Sequence, residues 1–356
     1  MEINTDFNIE ITKTSSSRIN EVDFANIPFG KIYSDHMFIC HFVDGQWQTP
    51  EVKPFENLSF SPAMSAIHYG QAIFEGMKAF KSPAGEAQLY RPHENIARLN
   101  KSAVRMSMEE VPEELFFEGL KALVDIDSDW IPTEDGSSLY IRPLLFATDE
   151  YIGVKRSQNY TFLIITCPVG KYYAQPVKVL AAEKHVRAIP GGVGDAKTAG
   201  NYAAAMLPAA EANAAGYDQV LWMDGYNFEY TQEIGTMNFF VEIDGDIYTP
   251  ALNGAILEGI TRDSVITLLK QNGYNVIEKD LSIKEIFEAH SAGKLTDAFG
   301  SGTAASISQI SNIGWNGQDI ELPAASDRKV SNWLYENLEG IKNGTVEDKN
   351  GWIIKI

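Results

Sequence analysis

One stretch in the middle of the chain restricts the fold most strongly, because a lysine stands there among small residues. It reads RAIPGGVGDAKTAGNYAAA over residues 187–205, with glycines on both sides of Lys197. Glycine has no Cβ, so its backbone can approach a flat ligand closely. Residues 201–215 predict an alanine-rich helix that breaks at Pro208 and ends at Gly216. Lys197 is therefore expected in a loop before a helix. Its amine could form a Schiff base with a carbonyl cofactor, or it could lie in water.

Charge and cysteine content exclude several classes of partner. The chain has 356 residues, a length that suits two domains, and a net charge of −19. Such an acidic chain repels polyanions, so neither nucleic acid nor an anionic membrane is an expected partner. Cys40 and Cys167 are too few for a disulfide framework, and the histidines show no close ligand spacing, so we expect no metal. The N-terminal residues do not read as a secretory signal, and the expected location is cytoplasmic.

The order of the segments predicts an α+β first half. Strands are predicted at residues 37–43, 139–148 and 160–167, helices at 94–106 and 112–126, and a hairpin turn at Asp44-Gly45. The prolines and glycines between Pro168 and Pro176 predict a linker. We therefore expect an N-terminal domain over residues 1–168, a linker over 169–176 and a C-terminal domain over 177–356.

The second half is also mixed. Strands are predicted at residues 177–182, 220–223 and 236–243, with a second hairpin turn at Asp244-Gly245. Helices are predicted at residues 263–271 and 327–338. Ser282 and Glu285 form a capping-box pattern for a further helix that extends to residue 290.

An acidic residue stands between two apolar strand segments of this half. Glu233 lies in the sequence YTQEIGTMN. A buried acid costs free energy unless it is paired, and a protonated heterocyclic nitrogen would be a suitable partner. A carboxylate on an edge strand, in contact with water, is the alternative.

Two loops and one arginine could bind a phosphate. Gly259-Ile260-Thr261 precedes a predicted helix, whose first N–H groups and dipole favour an anion. The turn from Gly300 to Thr303 offers backbone N–H groups and a hydroxyl. Arg98, on the predicted helix 94–106, could hold a phosphate in its forked guanidinium. Ordinary capping of the loops and a surface ion pair of Arg98 are the alternatives.

Aromatic residues and an arginine form a further candidate set. Its members are Tyr69, Phe74, Tyr140 and Arg142. Aromatic residues beside glycines usually belong to a core. Arg142 is harder to explain in that way, because arginine is rarely buried unpaired, and it could bind a carboxylate.

Together these segments resemble the branched-chain-amino-acid aminotransferases, which are pyridoxal-phosphate enzymes of fold type IV. The matching segments are HYGQAIFEGMKAF (68–80), RPHENIARLNKSA (91–103), LYIRPLLF (139–146), GGVGDAKTAGNYAA (191–204), EIGTMNFF (233–240), LEGITRDS (257–264) and GSGTAA (300–305). The resemblance covers nearly the whole chain from about residue 33. It implies a smaller N-terminal α+β domain. It also implies a larger C-terminal domain with a mainly antiparallel pseudo-barrel sheet that carries the lysine.

The resemblance also implies contacts to the cofactor, pyridoxal 5′-phosphate. Lys197 matches the Schiff-base lysine, and Tyr202 the tyrosine that hydrogen-bonds the phenolic oxygen. Glu233 matches the glutamate that keeps the pyridine nitrogen protonated. The residues that match phosphate contacts are Arg98, Ile260 (through its backbone), Thr261 and Thr303.

Substrate contacts follow from the same resemblance. Tyr69, with the backbone of Thr303 and Ala304, matches the group that binds the α-carboxylate. The walls of the side-chain pocket match Phe74, Tyr140, Arg142 and Tyr172. Ile152 and Val154 match a loop that in the family reaches into the partner subunit's pocket, which implies a homodimer.

The implied activity is the reversible transamination of L-leucine, L-isoleucine and L-valine with 2-oxoglutarate, as in branched-chain amino-acid biosynthesis. D-amino-acid aminotransferase, aminodeoxychorismate lyase and a pyridoxal-phosphate-binding protein without turnover stay open as alternatives. Two positions depart from the family pattern. Glu258 stands where a proline is usual, and residues 304–308 lack the Cys-x-x-Cys of mammalian members, so no thiol redox switch is expected.

Overall fold

A computed structural model of the chain describes residues 7–171 and 175–356. The chain divides into two compact units. The first contains residues 1–172, 196–199 and 340–356, and the second contains residues 173–195 and 200–339. Each unit has its own sheet and its own buried apolar clusters.

This division differs from the predicted domains in three respects. The first unit has more residues than the second, although the resemblance implied a smaller N-terminal domain. The segment 196–199, with Lys197, belongs to the first unit, because Thr198 forms a β-bridge with Ile73 there. The C-terminal residues also belong to the first unit, because the last strand pairs with a strand that ends at Tyr90. The strands on either side of the predicted linker end at Val169 and begin at Val177.

The first unit is built on a ten-stranded sheet. Its strands are β1 (Glu10–Ile11), β2 (His36–Val43), β3 (Gln46–Trp47), β4 (Glu51–Pro54), β5 (Ala72–Phe74), β6 (Met77–Lys81), β7 (Ala87–Tyr90), β8 (Ser138–Ala147), β9 (Tyr160–Val169) and β19 (Ile353–Lys355). Their main order is β1-β4-β2-β9-β8-β6-β7-β19, with β3 beside β2 and β5 beside β8. The predicted Asp44-Gly45 hairpin is confirmed, since both residues have positive φ between β2 and β3.

Helices α2 (Pro92–Arg105) and α3 (Glu113–Ile126) cover one face of this sheet. The unit also contains the short helix α1 (Ser65–Tyr69) and 3₁₀ turns at Ile19–Glu21 and Ser128–Trp130. Side chains alternate between the two faces of a strand. Accordingly Phe38 and Cys40 pack in the cluster with α2 and α3, whereas Met37 and Ile39 pack in a separate cluster. The predicted helices 94–106 and 112–126 are confirmed to within a few residues.

Six strands of the second unit close into a ring. They are β10 (Val177–Ala181), β11 (Gln219–Met223), β12 (Thr231–Ile234), β13 (Met237–Ile243), β16 (Leu295–Gly302) and β17 (Ser306–Trp315). The order is β12-β11-β10-β17-β16-β13, and β12 pairs again with β13. Four of the six pairings are antiparallel, and β10 is parallel to both of its neighbours. The expected pseudo-barrel is therefore confirmed.

Three further strands extend this sheet. They are β14 (Asp246–Pro250), β15 (Val276–Lys279) and β18 (Gln318–Glu321). Helices α6 (Ile260–Gln271) and α7 (Ile283–Ser291) belong to this unit, as do the 3₁₀ turn Ala325–Asp327 and most of α8 (Lys329–Asn343). The predicted capping box is confirmed, because Ser282 accepts the N–H of Lys284 and Glu285 accepts the N–H of Ser282.

The alanine-rich helix forms two pieces. They are α4 (Ala199–Ala204) and α5 (Met206–Ala214). The predicted break at Pro208 is wrong. Pro208 lies in the first turn of α5, where a missing N–H leaves no hydrogen bond unmade, and the break falls at Ala205. In the described part of the chain, no helix combines the length and apolar character needed to cross a bilayer.

Candidate active site

The backbone around Lys197 is held on both sides. The Lys197 N–H donates to Ser102 Oγ on α2 at 2.9 Å, and its carbonyl accepts the N–H of Phe74 at 3.1 Å. Thr198 Oγ1 donates to the carbonyl of Ala72 at 3.0 Å. As predicted, the lysine lies just before a helix, since α4 begins at Ala199. These bonds fix the origin of the lysine side chain although it belongs to a loop.

The Lys197 side chain is half-buried and lies near aromatic and acidic groups. Its Nζ is 5.1 Å from the centre of the Phe74 ring. Its charge also acts on the carboxyl group of Glu75. The alternative considered from the sequence, a Lys197 side chain in bulk water, is therefore wrong.

Glu75 and Arg98 form a buried bidentate ion pair. Arg98 Nε donates to Glu75 Oε1 and Arg98 Nη2 donates to Glu75 Oε2, both at 2.8 Å. Asn95 Nδ2 also donates to Glu75 Oε2 at 2.7 Å. All three residues are buried. The prediction of a surface ion pair for Arg98 is thus wrong, because Arg98 pairs with the buried Glu75 on the side of α2 that faces the core.

The pKa of Glu75 shows which influence dominates at this pair. Burial acts to raise the pKa of the carboxyl group, but the charge and hydrogen bonds of Arg98, the charge of Lys197 and the amide of Asn95 together hold it below its ordinary value. Glu75 therefore stays ionised and compensates the positive charge beside it.

A second arginine of the first unit lies against aromatic rings. The Arg142 guanidinium carbon is 4.4 Å from the centre of the Phe74 ring and 5.3 Å from that of Tyr140. Arg142 Nη2 donates to the Tyr140 hydroxyl at 2.9 Å. In the described part of the chain, Arg142 Nε is buried without a hydrogen-bond acceptor. A buried donor of this kind suits a ligand carboxylate.

Three other predicted residues of the first unit are exposed. Tyr69 ends α1 and is 43% exposed, and no contact among the described residues brings it into the Lys197 cluster. Ile152 and Val154 are 68% and 92% exposed. Exposed apolar side chains that are close together in the sequence can form part of an interaction surface. Tyr172 lies outside the described residues.

Glu233 in the second unit has a buried cationic partner. It lies on β12 at 3% exposure and forms an ion pair with Arg187. The Arg187 guanidinium also donates to the carbonyls of Ala255 and Gly194. The edge-strand alternative for Glu233 is wrong, because closure of the ring gives β12 a neighbour on each side. Arg187 was missed in the sequence, where nothing local marks a loop arginine as the partner of a strand residue.

The predicted phosphate loop is shaped by an asparagine. Asn238 Nδ2 donates to the carbonyl of Leu257 at 3.0 Å, and a Cβ on Gly259 would collide with Asn238 Oδ1. Helix α6 begins at Ile260, so Thr261 lies in its first turn rather than before it, and is buried. Glu258, which replaces the usual proline, is exposed.

The remaining predicted residues lie at turns and on α4. Thr303 and Ala304 occupy the tight turn between β16 and β17, and both are half-buried. Tyr202 lies on α4, whose neighbour Asn201 donates through Nδ2 to the carbonyl of Val193 at 2.8 Å. This bond ties the helix to the glycine-rich loop before Lys197. The first unit therefore brings together Lys197, Phe74, Tyr140, Arg142 and Arg98.

These groups fit pyridoxal 5′-phosphate. A carbonyl group needs an amine, which Lys197 supplies beside an aromatic ring. A phosphate needs cations and backbone donors; the first unit offers the cation Arg98, and the second unit offers the backbone N–H groups at the start of α6. A pyridine nitrogen that carries a proton needs a carboxylate partner, and Glu233 in the second unit is a buried acid. The glycine at position 259 leaves space that a Cβ would fill.

Comparison with known proteins gives the same result. A family model described as amino-transferase class IV matches residues 72–313. The branched-chain-amino-acid aminotransferase 2 of Bacillus subtilis is 43% identical over 352 residues, which cover 98% of this chain and 96% of the relative. The branched-chain-amino-acid aminotransferase of Mycolicibacterium smegmatis is 38% identical over 354 residues, 97% of this chain and 96% of the relative.

Solved structures are similar over the same length. The branched-chain amino acid aminotransferase from Escherichia coli superposes with a TM-score of 0.71 at 26% identity, covering 90% of this chain and 98% of that one. A T.th. branched-chain amino acid aminotransferase complexed with N-(5′-phosphopyridoxyl)-L-glutamate gives 0.74 at 26% identity, covering 91% and 99%.

Fold and site define a class IV aminotransferase of fold type IV, whose cofactor is pyridoxal 5′-phosphate. Within that class, the chain belongs to the family of the branched-chain-amino-acid aminotransferases.

Proposed function

We propose that the chain transfers the amino group of L-leucine, L-isoleucine or L-valine reversibly to 2-oxoglutarate, giving branched-chain 2-oxo acids and L-glutamate. The observation that carries this proposal is the similarity over nearly the whole length to enzymes named for that activity. The arrangement of Lys197, Phe74 and Arg142 supports it, because an amine, an apolar ring and a cation for a carboxylate adjoin one another.

Lys197 is the proposed proton carrier. Its Nζ removes the proton from the substrate Cα, a task for which a positioned amine is suited. When bound, pyridoxal phosphate supplies a conjugated ring that accepts the electron pair left at Cα. The bonds from the Lys197 backbone to Ser102 and Phe74 keep the Lys197 Cα at one place while its side chain moves.

The remaining cofactor contacts follow from the chemistry of each group. Arg98, Ile260, Thr261 and Thr303 are the proposed phosphate contacts, and Tyr202 the proposed donor to the phenolic oxygen. Glu233 is proposed to hold the proton on the pyridine nitrogen. The support for this role is its burial and its ion pair with Arg187.

The substrate site must accept both an aliphatic side chain and the γ-carboxylate of glutamate. Phe74, Tyr140 and Tyr172 are the proposed apolar walls, and Arg142 the proposed cation for the γ-carboxylate. The buried Nε of Arg142 supports this role. Tyr69, with the Thr303 and Ala304 backbone, is proposed to bind the α-carboxylate.

A homodimer and a cytoplasmic location are part of the same proposal. The exposure of Ile152 and Val154 supports a subunit contact. Cys40 and Cys167 are free and buried, as suits a reducing compartment. Sedimentation velocity of the wild type should give the mass of a dimer. A monomer would contradict the dimer proposal.

A substrate panel tests the activity. The three branched-chain L-amino acids, D-alanine and 4-amino-4-deoxychorismate are each incubated with the holoenzyme, and 2-oxoglutarate is added to the amino acids. The proposal expects glutamate from the three L-amino acids only. Turnover of D-alanine or release of pyruvate would favour one of the alternative activities of the fold. A yellow protein that turns over nothing would favour a binding protein.

A further inference from the structure

Glu75 occupies a place where the sheet provides for an apolar side chain. β5 and β6 both pair with β8, and Glu75 lies in the interruption between them, with its N–H on the Pro143 carbonyl at 2.8 Å. Ile73 before it and Met77 after it pack into the cluster with α2 and α3. Glu75 shares their alternation and faces α2, and its exposure is 0%.

The contacts of Glu75 converge on one arginine. Oε1 accepts Arg98 Nε, and Oε2 accepts Arg98 Nη2 together with Asn95 Nδ2. The Gly76 N–H adds a longer bond of 3.3 Å to Oε2. Two parallel bonds from one side of a planar guanidinium fix both its position and its plane. Asn95, one helical turn before Arg98, fixes the carboxylate in turn.

We propose that Glu75 is a positioning residue, which holds the Arg98 guanidinium in the plane and rotation that the cofactor phosphate requires. The inference rests on the proposed cofactor contact of Arg98. An arginine side chain has several rotatable bonds, and ordering them on ligand binding costs affinity. The two hydrogen bonds to Glu75 order these rotatable bonds of Arg98 before the ligand binds.

A purely structural role explains the pair less well. A buried ion pair is often no more stabilising than apolar residues of the same volume. Ile73 and Met77 on the sheet, and Ile96 and Leu99 on α2, show that the surrounding core is apolar. The Glu75–Arg98 pair lies in this apolar core, and Lys197 is close enough to lower the pKa of Glu75. We therefore assign the pair to the functional site rather than to the core.

The test compares two ligands of the apoprotein that differ only in the phosphate. Dissociation constants of pyridoxal 5′-phosphate and of pyridoxal are measured by absorbance for the wild type and for Glu75→Gln. We expect Glu75→Gln to weaken pyridoxal phosphate by about 10- to 100-fold, the range for one hydrogen bond to a charged group. We expect pyridoxal to change by less than about 3-fold, since it lacks the group that Arg98 binds.

Glu94→Gln is the matched control. Glu94, on α2, is also paired with an arginine, but its carboxylate is 47% exposed and its partner Arg91 precedes the helix. We expect both dissociation constants to stay within about 2-fold of the wild type, as for an exposed pair.

A double-mutant cycle separates positioning from general loosening. If Glu75 acts through Arg98, then Arg98→Gln and Glu75→Gln/Arg98→Gln bind pyridoxal phosphate equally, within about 2-fold. That comparison also decides the matter if Glu75→Gln alone does not fold, because the double variant leaves no buried charge unpaired. Asn95→Ala gives an independent measurement, with a smaller loss for pyridoxal phosphate only.

Three results would overturn the proposal. They are an unchanged affinity of Glu75→Gln for pyridoxal phosphate, an equal loss for both ligands, and a further loss in the double variant relative to Arg98→Gln. Failure of the proposed phosphate contact of Arg98 looks different, because the wild type itself would then bind pyridoxal no more weakly than pyridoxal phosphate. Failure of the proposed activity would leave these dissociation constants unchanged and would show only in the substrate panel.

Discussion

Among the described residues, each of the two units has a buried glutamate that is paired with an arginine, and the two pairs are built in opposite ways. In the first unit Glu75, at a break in a strand, holds Arg98 on a helix. In the second unit Arg187, in a loop, holds Glu233 on a strand of the closed ring. The residue proposed to contact the cofactor is the arginine in the first pair and the glutamate in the second.

The difference shows how one type of interaction can present opposite charges. A lone buried ion is costly, so each proposed contact to the cofactor needs a counter-ion. Arg98, proposed to bind a phosphate, needs an anionic partner, and Glu233, proposed to bind a protonated nitrogen, needs a cationic one. The supporting member of each pair therefore follows from the charge of the group that its partner is proposed to bind.

The largest expected effect is on the rate of transamination, when the lysine beside the Glu75–Arg98 pair is removed. Lys197→Ala should lower transamination by about 10²–10⁴-fold, the range for loss of a positioned acid–base group. It should also abolish the absorbance band of the lysine-bound cofactor. Lys184→Ala, at an exposed lysine, is the control and should keep both. Full turnover by Lys197→Ala would remove that residue from the mechanism.

Removal of the supporting arginine in the second unit should be costly for stability. Arg187→Met leaves the buried Glu233 without its counter-ion and should lower the free energy of unfolding by about 3–5 kcal/mol. Urea unfolding of the apoprotein measures this loss, and Arg187→Met/Glu233→Gln should recover most of it. Arg156→Ala, which breaks the exposed pair with Glu109, should cost less than about 1 kcal/mol. Equal losses for both arginines would contradict the account of the second pair.

The Glu233→Gln and Glu75→Gln variants should differ in whether added cofactor restores the rate. Glu233→Gln should keep the cofactor but lower kcat by about 10²-fold, because a charge that assists the reaction is lost. Glu75→Gln at saturating cofactor should lower kcat much less, because it acts on cofactor affinity. Steady-state rates at rising pyridoxal phosphate concentrations distinguish the two. The comparison fails if added cofactor rescues both variants equally, or neither.

A smaller effect concerns acid stability. The pKa of Glu75 is lower in the folded chain than in the unfolded chain, so the folded state binds fewer protons. Its stabilisation is present above its ordinary pKa and is lost as the pH falls through the lowered value. Between pH 7 and pH 3, unfolding free energy should fall less steeply for Glu75→Gln/Arg98→Gln than for the wild type. Parallel curves would show that the pair does not titrate as described.

Local patterns predicted the local elements well. The Asp44-Gly45 hairpin follows from two residues that accept positive φ, and the helix after Ser282 from reciprocal capping bonds. Helices α2 and α3 follow from their apolar spacing. The location of Lys197 before a helix also follows from neighbouring glycines and alanines.

The supporting residues required knowledge of contacts between distant segments. The two neighbours of β12 adjoin it in the chain, but Arg187 lies far from Glu233 in the sequence, so no local pattern could show that Arg187 faces Glu233. Glu75 carried a partial signal, since it interrupts the alternation of Ile73 and Met77 on a core-facing side. Arg98 likewise lies on the apolar face of α2 with Leu99. Two opposite charges at core positions could have been paired from the sequence.

A single-turnover experiment tests the central claim most directly. The purified holoenzyme is mixed with L-leucine and no oxo-acid acceptor, and cofactor absorbance and 4-methyl-2-oxopentanoate are followed together. The account predicts one equivalent of the 2-oxo acid per subunit as the absorbance of the lysine-bound cofactor disappears, with no such change for Lys197→Ala. An unchanged spectrum of the wild type with L-leucine would contradict it.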